Sequence, residues 1–102
     1  MKIEKDSKNV KISVIIPTFN SAKSIEDTLK SVFNQNWPDL QIIVQDGGSN
    51  DDTKAIIEKY PIAMTGWQSE PDNGIYDAMN KGIRRATGEV IAILNSDDTW
   101  LP

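Results

Sequence analysis

Three short runs rich in β-branched residues, Ile12 to Ile16, Leu40 to Val44 and Val90 to Leu94, constrain this chain more than any other feature. Each has the length of a strand and almost no polar interruption. Such runs read as strands buried on both faces, the pattern of a parallel sheet sandwiched between helices.

The intervening segments supply the helices. Ile25, Leu29, Val32 and Phe33 fall on one face of a first helix, which Ser21 or Ser24 can cap and Trp37-Pro38 must follow. A second helix begins near Ser49 to Thr53, buries Ile56, Ile57 and Tyr60, and ends at Tyr60-Pro61. Residues 62–68 form a polar-interrupted candidate strand suited to a sheet edge. In the third helix Ile75, Ala78, Met79, Gly82, Ile83 and Ala86 recur at steps of three and four, with Gly88 expected as a left-handed cap. The alternation β-α-β-α-β-α-β predicts an α/β fold, a Rossmann-like parallel sheet with helices on both faces and strand order 3-2-1-4. The switch point then lies between the first and fourth strands, and ligands bind at the carboxyl ends beside it.

Residues 1–11 read as a polar lead and 12–102 as one domain, with no covering element after the fourth strand, as in a C-terminally truncated unit. No run of about 18 apolar residues could span a bilayer, and the first residues carry no apolar signal stretch, so a cytoplasmic location is expected. The sequence contains neither cysteine nor histidine. Chemistry here therefore rests on carboxylates and metal. A net charge of −4 without a basic cluster argues against a nucleic-acid partner. Exposed sheet edges make self-association into a homo-oligomer an expectation.

Three strand-end segments carry candidate chemistry. After the first strand, Pro17, Thr18, Phe19 and Asn20 combine a fixed backbone, hydrogen-bonding side chains and a flat ring suited to a nucleobase; the same residues also serve as a strand stop, a core aromatic and a turn. After the second, Asp46 precedes Gly47 and Gly48, which let a ligand approach the backbone. Asp46 can accept from the imide N–H of uracil or the edge of guanine, while Ser49 to Asp52 also suit a helix cap. After the fourth, Asn95 and Ser96 precede Asp97 and Asp98, whose carboxylates attract a hard divalent cation such as Mg²⁺ or Mn²⁺; a solvated acidic turn is the alternative. Such a cation would let a diphosphate sit beside these carboxylates and stabilise charge on a leaving diphosphate. Asn80 and Lys81 on the third helix can reach phosphate, although a solvated helix face explains Lys81 equally well.

In this order and at these spacings, the segments resemble the GT-A fold, family 2 glycosyltransferases, over roughly residues 11–102. Ile15 to Asn20 resemble the family's opening strand and turn, and Asp46 to Thr53 its Asp-Asp-Gly-Ser-x-Asp-x-Thr segment. Asn73 to Asn80 resemble its Asn-Gly-x-x-x-Ala-Arg-Asn segment, and Gly88 to Asp98 its Gly-Glu-strand-Asp-x-Asp-Asp segment. The resemblance implies that the chain is the N-terminal, donor-binding half of such an enzyme, that Pro17, Thr18 and Asp46 line the base pocket, and that Asp97, with Asp98 nearby, forms the metal-binding end of Asp-x-Asp. It implies transfer from a UDP- or GDP-linked sugar to a saccharide or lipid-linked acceptor with inversion, the general base lying beyond residue 102 so that these residues alone are inactive. The run Glu70 to Gly82 is similar to that of bacterial polysaccharide-assembly members, which implies surface-polysaccharide synthesis at the cytoplasmic face of the membrane.

Three positions depart from the family pattern. Gly47 replaces the second Asp, Met79 stands where many members have an Arg, and Asn95 replaces the first Asp of Asp-x-Asp, leaving a neutral oxygen ligand. Two other classes compete with this reading. A catalytically silent nucleotide-binding domain shares the same segments, whereas a phospho-accepting receiver would need a carboxylate where Pro17 to Phe19 stand. No Gly-x-Gly-x-x-Gly follows the first strand and no Gly-Lys-Ser/Thr occurs, which argues against dinucleotide oxidoreductases and P-loop enzymes.

Overall fold

A computed structural model describes residues 10–35, 39–60 and 66–99. The elements run β1 (Ile12–Thr18), α1 (Ile25–Phe33), β2 (Leu40–Asp46), α2 (Thr53–Ile57), β3 (Gln68–Ser69), α3 (Ile75–Arg85) and β4 (Val90–Ile93). The four strands form one parallel sheet in the order β3-β2-β1-β4, as the sequence pattern predicts. In register, Ile12 faces Leu40 and Val90, and Thr18 faces Asp46. The carboxyl ends of β1 and β2 are therefore level.

Alternation along the strands divides the core between two faces. Val14, Ile16, Val44, Leu94 and neighbours pack with Ile25, Leu29 and Val32 of α1 and Ile57 of α2. On the opposite face α3 lies across β1 and β2. Gly82 makes this approach possible, because a Cβ there would collide with the Ile15 side chain.

Several local expectations change. β4 is buried on one face only: Ala92 and Leu94 are enclosed, whereas Ile91 and Ile93 on the other face are exposed, since α3 lies over β1 and β2 and leaves β4 uncovered, and Val90 at the strand start is exposed as well. Gly88 is not a left-handed cap. The helix leaves through Ala86 in an extended conformation (ψ 138°), and Gly88 is needed for space, because a Cβ would stand 2.6 Å from Ser13 Oγ and 2.8 Å from Lys11 O. Ser24 occupies the N-cap position of α1 without capping it by its side chain. α2 closes after five residues, short of the expected end at Tyr60. Trp37-Pro38, Pro61, residues 62–65 of the expected edge strand, most of the 1–11 lead and Trp100 to Pro102 lie outside the described residues.

Candidate nucleotide-sugar site

The level strand ends place their following loops side by side, and hydrogen bonds join these loops across the sheet. Asn20 adopts a left-handed conformation (φ 47°), which an Asn tolerates better than most residues. Its backbone N–H donates to Ser49 Oγ (2.8 Å), and its side-chain oxygen accepts from Asn50 N (3.0 Å). Ser21 N donates to Thr53 Oγ1 (2.7 Å), and Ala22 N to Asp51 Oδ2 (3.3 Å). The loops after β1 and β2 thus form one surface. The Thr53 hydroxyl beside Asp51 holds that carboxyl below the usual carboxylate range, against a smaller opposing effect of desolvation.

Asp46 organises this surface from beneath. Its side chain is fully buried. Oδ2 accepts from Gly48 N (3.1 Å), Ser49 N (2.8 Å) and Ser69 Oγ (2.7 Å), and Oδ1 accepts from Ser49 Oγ (2.5 Å). A carboxylate so surrounded has its acceptor sites satisfied by its own loop and β3. It is not among the residues lining the cleft between these loops, and its hydrogen bonds tie the loop after β2 to β3.

The loop after β4 is held by α1. Ser96 O accepts from Ser24 Oγ (2.9 Å) and Thr28 Oγ1 (3.0 Å), and Thr28 Oγ1 also lies 2.6 Å from Asp98 O. Ser21 Oγ and Ser96 Oγ are 2.6 Å apart. The serines that resemble helix caps in sequence are thus spent on the acidic loop. Sequence reasoning missed Thr28 because a Thr on a buried helix face has no local mark of a partner 70 residues away.

Between these loops opens a cleft of about 1130 Å³. Its lining includes Pro17, Thr18, Phe19 and Asn20 from the first segment, Gly47 from the second, and Asn95, Ser96 and Asp97 from the third. The three strand ends therefore converge on one cavity. Phe19 does not pack into the core: the residue is 58% exposed and lines the cleft. Asp46, Gly48, Asn80, Lys81 and Asp98 are not among the lining residues. Lys81 is diverted: its ammonium pairs with Glu70 (3.3 Å) and Asp77 (3.6 Å) and donates to Pro71 O (3.2 Å), bracing the loop before α3. Lys23, in the turn before α1, is a basic residue among the lining. Asp72, also absent from the expected set, lines the cleft too.

The residues after β4 fit a hard divalent cation in part. Asn95 Oδ1 is buried and has no hydrogen-bond partner, and Asp97 presents an exposed carboxylate to the same cleft. Among the described residues no three His, Cys, Asp or Glu side chains gather to enclose a metal. Such a partial, all-oxygen set suits Mg²⁺ or Mn²⁺, which keep waters and complete their shell with substrate phosphate. Asp98 is exposed and is not among the lining residues.

Comparison with known proteins identifies the family. The model of glycosyl transferase family 2 matches residues 13–102. The chain belongs to glycosyltransferase family 2. It is 43% identical over 90 residues to an uncharacterised glycosyltransferase of Mycobacterium tuberculosis, covering 87% of this chain and 34% of that protein. It is 37% identical over 100 residues to a GalNAc(5)-diNAcBac-PP-undecaprenol β-1,3-glucosyltransferase of Campylobacter jejuni, covering 89% and 31% respectively. A mannosyltransferase of Pyrobaculum calidifontis, solved in complex with GDP-Man and Mn²⁺, superposes with a TM-score of 0.84 at 29% identity, over 97% of this chain and 31% of that one. The chain thus spans about a third of the length of these family 2 relatives. Its sheet and flanking helices are those of GT-A glycosyltransferases.

Proposed function

We propose that the cleft binds a nucleotide-diphosphate sugar, UDP- or GDP-linked, as the donor site of an inverting transferase that builds a bacterial surface polysaccharide on a saccharide or lipid-linked acceptor. The observation that carries this reading is the convergence of the Pro17 to Asn20, Gly47 and Asn95 to Asp97 segments on one cavity at the sheet's carboxyl edge. In family terms the relatives support it: one is named for a glucosyl transfer to an undecaprenol-linked glycan, and another was solved with GDP-Man and Mn²⁺.

In this reading the exposed ring of Phe19 stacks on the base and Pro17 fixes the backbone beneath it. Asn95 and Asp97 hold a divalent cation, which would neutralise the diphosphate and stabilise its departure. Lys23 adds positive charge from the α1 side, a role that Met79 cannot fill and that Lys81, paired with Glu70 and Asp77, does not reach. Asp46, Thr28 and Ser24 act by holding the loops, not by touching donor. The acceptor hydroxyl would be deprotonated by a carboxylate supplied outside these residues. Among the described residues no helix is long and apolar enough to cross a membrane; we place the protein at the cytoplasmic membrane face, where nucleotide sugars and lipid-linked acceptors meet.

Calorimetry with Mn²⁺ and a panel of nucleoside diphosphates tests this function. Binding that requires Mn²⁺ and is lost in Asp97→Ala is expected. Equal, negligible heats for both proteins with every nucleotide would refute it.

A further inference from the structure

Gly47 has no conformational reason to be glycine, because the positive-φ glycines among the described residues are Gly48 and Gly74. The space beside it is taken by Asp72. A Cβ built on Gly47 would lie 2.6 Å from Asp72 Oδ2 and 2.9 Å from Oδ1. The carboxylate of Asp72 therefore fills the space that a side chain at position 47 would enter. Gly47 N also donates to Thr18 O (2.8 Å), which places this carboxylate at the junction of the β1 and β2 ends.

Asp72 is held there by its own turn. Oδ1 accepts from Gly74 N (3.0 Å), while Oδ2 accepts nothing from the described residues. The neighbouring aspartates differ. Asp51 is occupied by Thr53 and Ala22, and Asp97 belongs to the cation side. Asp46 is sealed below the surface. Asp72 Oδ2 is thus an uncommitted carboxylate oxygen at the β2 end of the cleft, backed by a glycine that makes room for it.

We infer that Asp72 reads the donor's base, accepting a hydrogen bond from the imide N–H of a uracil or the N1–H of a guanine, and that Gly47 is small so that Asp72 can reach it. The inference rests on the nucleotide-site reading above and assigns to that site its base-selecting residue. Cytosine presents an unprotonated ring nitrogen at the corresponding edge, so a fixed acceptor disfavours it.

Four proteins decide the matter: wild type, Asp72→Asn, Gly47→Asp, and the exchange variant Gly47→Asp/Asp72→Gly. An Asn that keeps the Oδ1 bond to Gly74 N turns its amide NH2 toward the base, a donor that suits the ring nitrogen of cytosine. Titration of each with UDP, GDP and CDP in Mn²⁺ is expected to show wild type preferring UDP or GDP over CDP by about tenfold or more, the value of one buried hydrogen bond at stake. Asp72→Asn should lower that preference to within about threefold, with Mn²⁺ dependence intact and the melting temperature near that of wild type. Gly47→Asp should weaken all three nucleotides by crowding Asp72, and the exchange variant should recover part of the preference. Wild-type preference retained in Asp72→Asn overturns the Asp72 role while leaving the nucleotide site standing. Absence of any nucleotide binding by folded wild type removes both.

Discussion

Replacing Thr28 with valine isolates the tie between α1 and the loop after β4. The Thr28 side chain is fully buried, and its single hydroxyl proton is shared between Ser96 O at 3.0 Å and Asp98 O at 2.6 Å. Ser96 O keeps a second donor, Ser24 Oγ, so the loss falls mainly on Asp98 O. That carbonyl belongs to an exposed residue that water can reach, which limits the net cost to about 1 kcal/mol, the ordinary value of one hydrogen bond. For a unit of this size the melting temperature should fall by about 4–8 °C. If the loosened loop expresses that energy at the cleft, the Mn²⁺-dependent affinity for a nucleoside diphosphate weakens about fivefold. Thr28→Ser, which keeps the hydroxyl, should retain most of that affinity. Differential scanning calorimetry and nucleotide titration of the three proteins would measure both effects. Unchanged nucleotide affinity in Thr28→Val would refute the argument that α1 positions the acidic loop.

Asp46→Ala leaves Gly48 N, Ser49 N and Ser69 Oγ without their buried acceptor, and should cost about 3 kcal/mol or more in a urea melt. Gly82→Val forces a side chain into Ile15 and should destabilise by about 1–3 kcal/mol, read as a lower denaturation midpoint. Asp51 and Asp77 have carboxyl pKa values lowered in the fold, by the Thr53 hydroxyl and by the Asn73 N–H respectively. A lowered folded pKa means that each contribution is complete above the unfolded carboxylate range and is lost as pH falls through the folded value. Melting temperatures recorded down an acid series should therefore decline less steeply in Asp51→Asn than in wild type.

The strand order and the convergence of three strand-end loops were legible in the sequence because both follow from local signals. Apolar runs of strand length, helical periodicity at Ile25 to Phe33 and Ile75 to Ala86, and glycine- or aspartate-rich turns each declare themselves within a few residues. What depended on distance was not legible. Ser21 and Ser24 look like helix caps whether their hydroxyls reach the helix or the loop at Ser96. Asp46 looks like a ligand group at a strand end, and only the fold reveals that Ser49 and Ser69 satisfy it. Gly47 and Asp72 form a complementary pair 25 positions apart, and neither residue alone signals the other. The exposure of Ile91 and Ile93 is set by where α3 crosses the sheet, which their apolar character could not reveal.

Paramagnetic broadening of backbone amide NMR signals by Mn²⁺, recorded with and without a bound nucleoside diphosphate, tests the shared cleft most directly. With UDP or GDP present, sub-stoichiometric Mn²⁺ should broaden the Asn95 to Asp98 amides most strongly and the Thr18 to Asn20 amides with them. Omitting the nucleotide should greatly weaken both effects. Broadening centred on Asp51 and Asp52, or an Asn95 to Asp98 pattern indifferent to nucleotide, would contradict a cation and nucleotide held together between the ends of β1, β2 and β4.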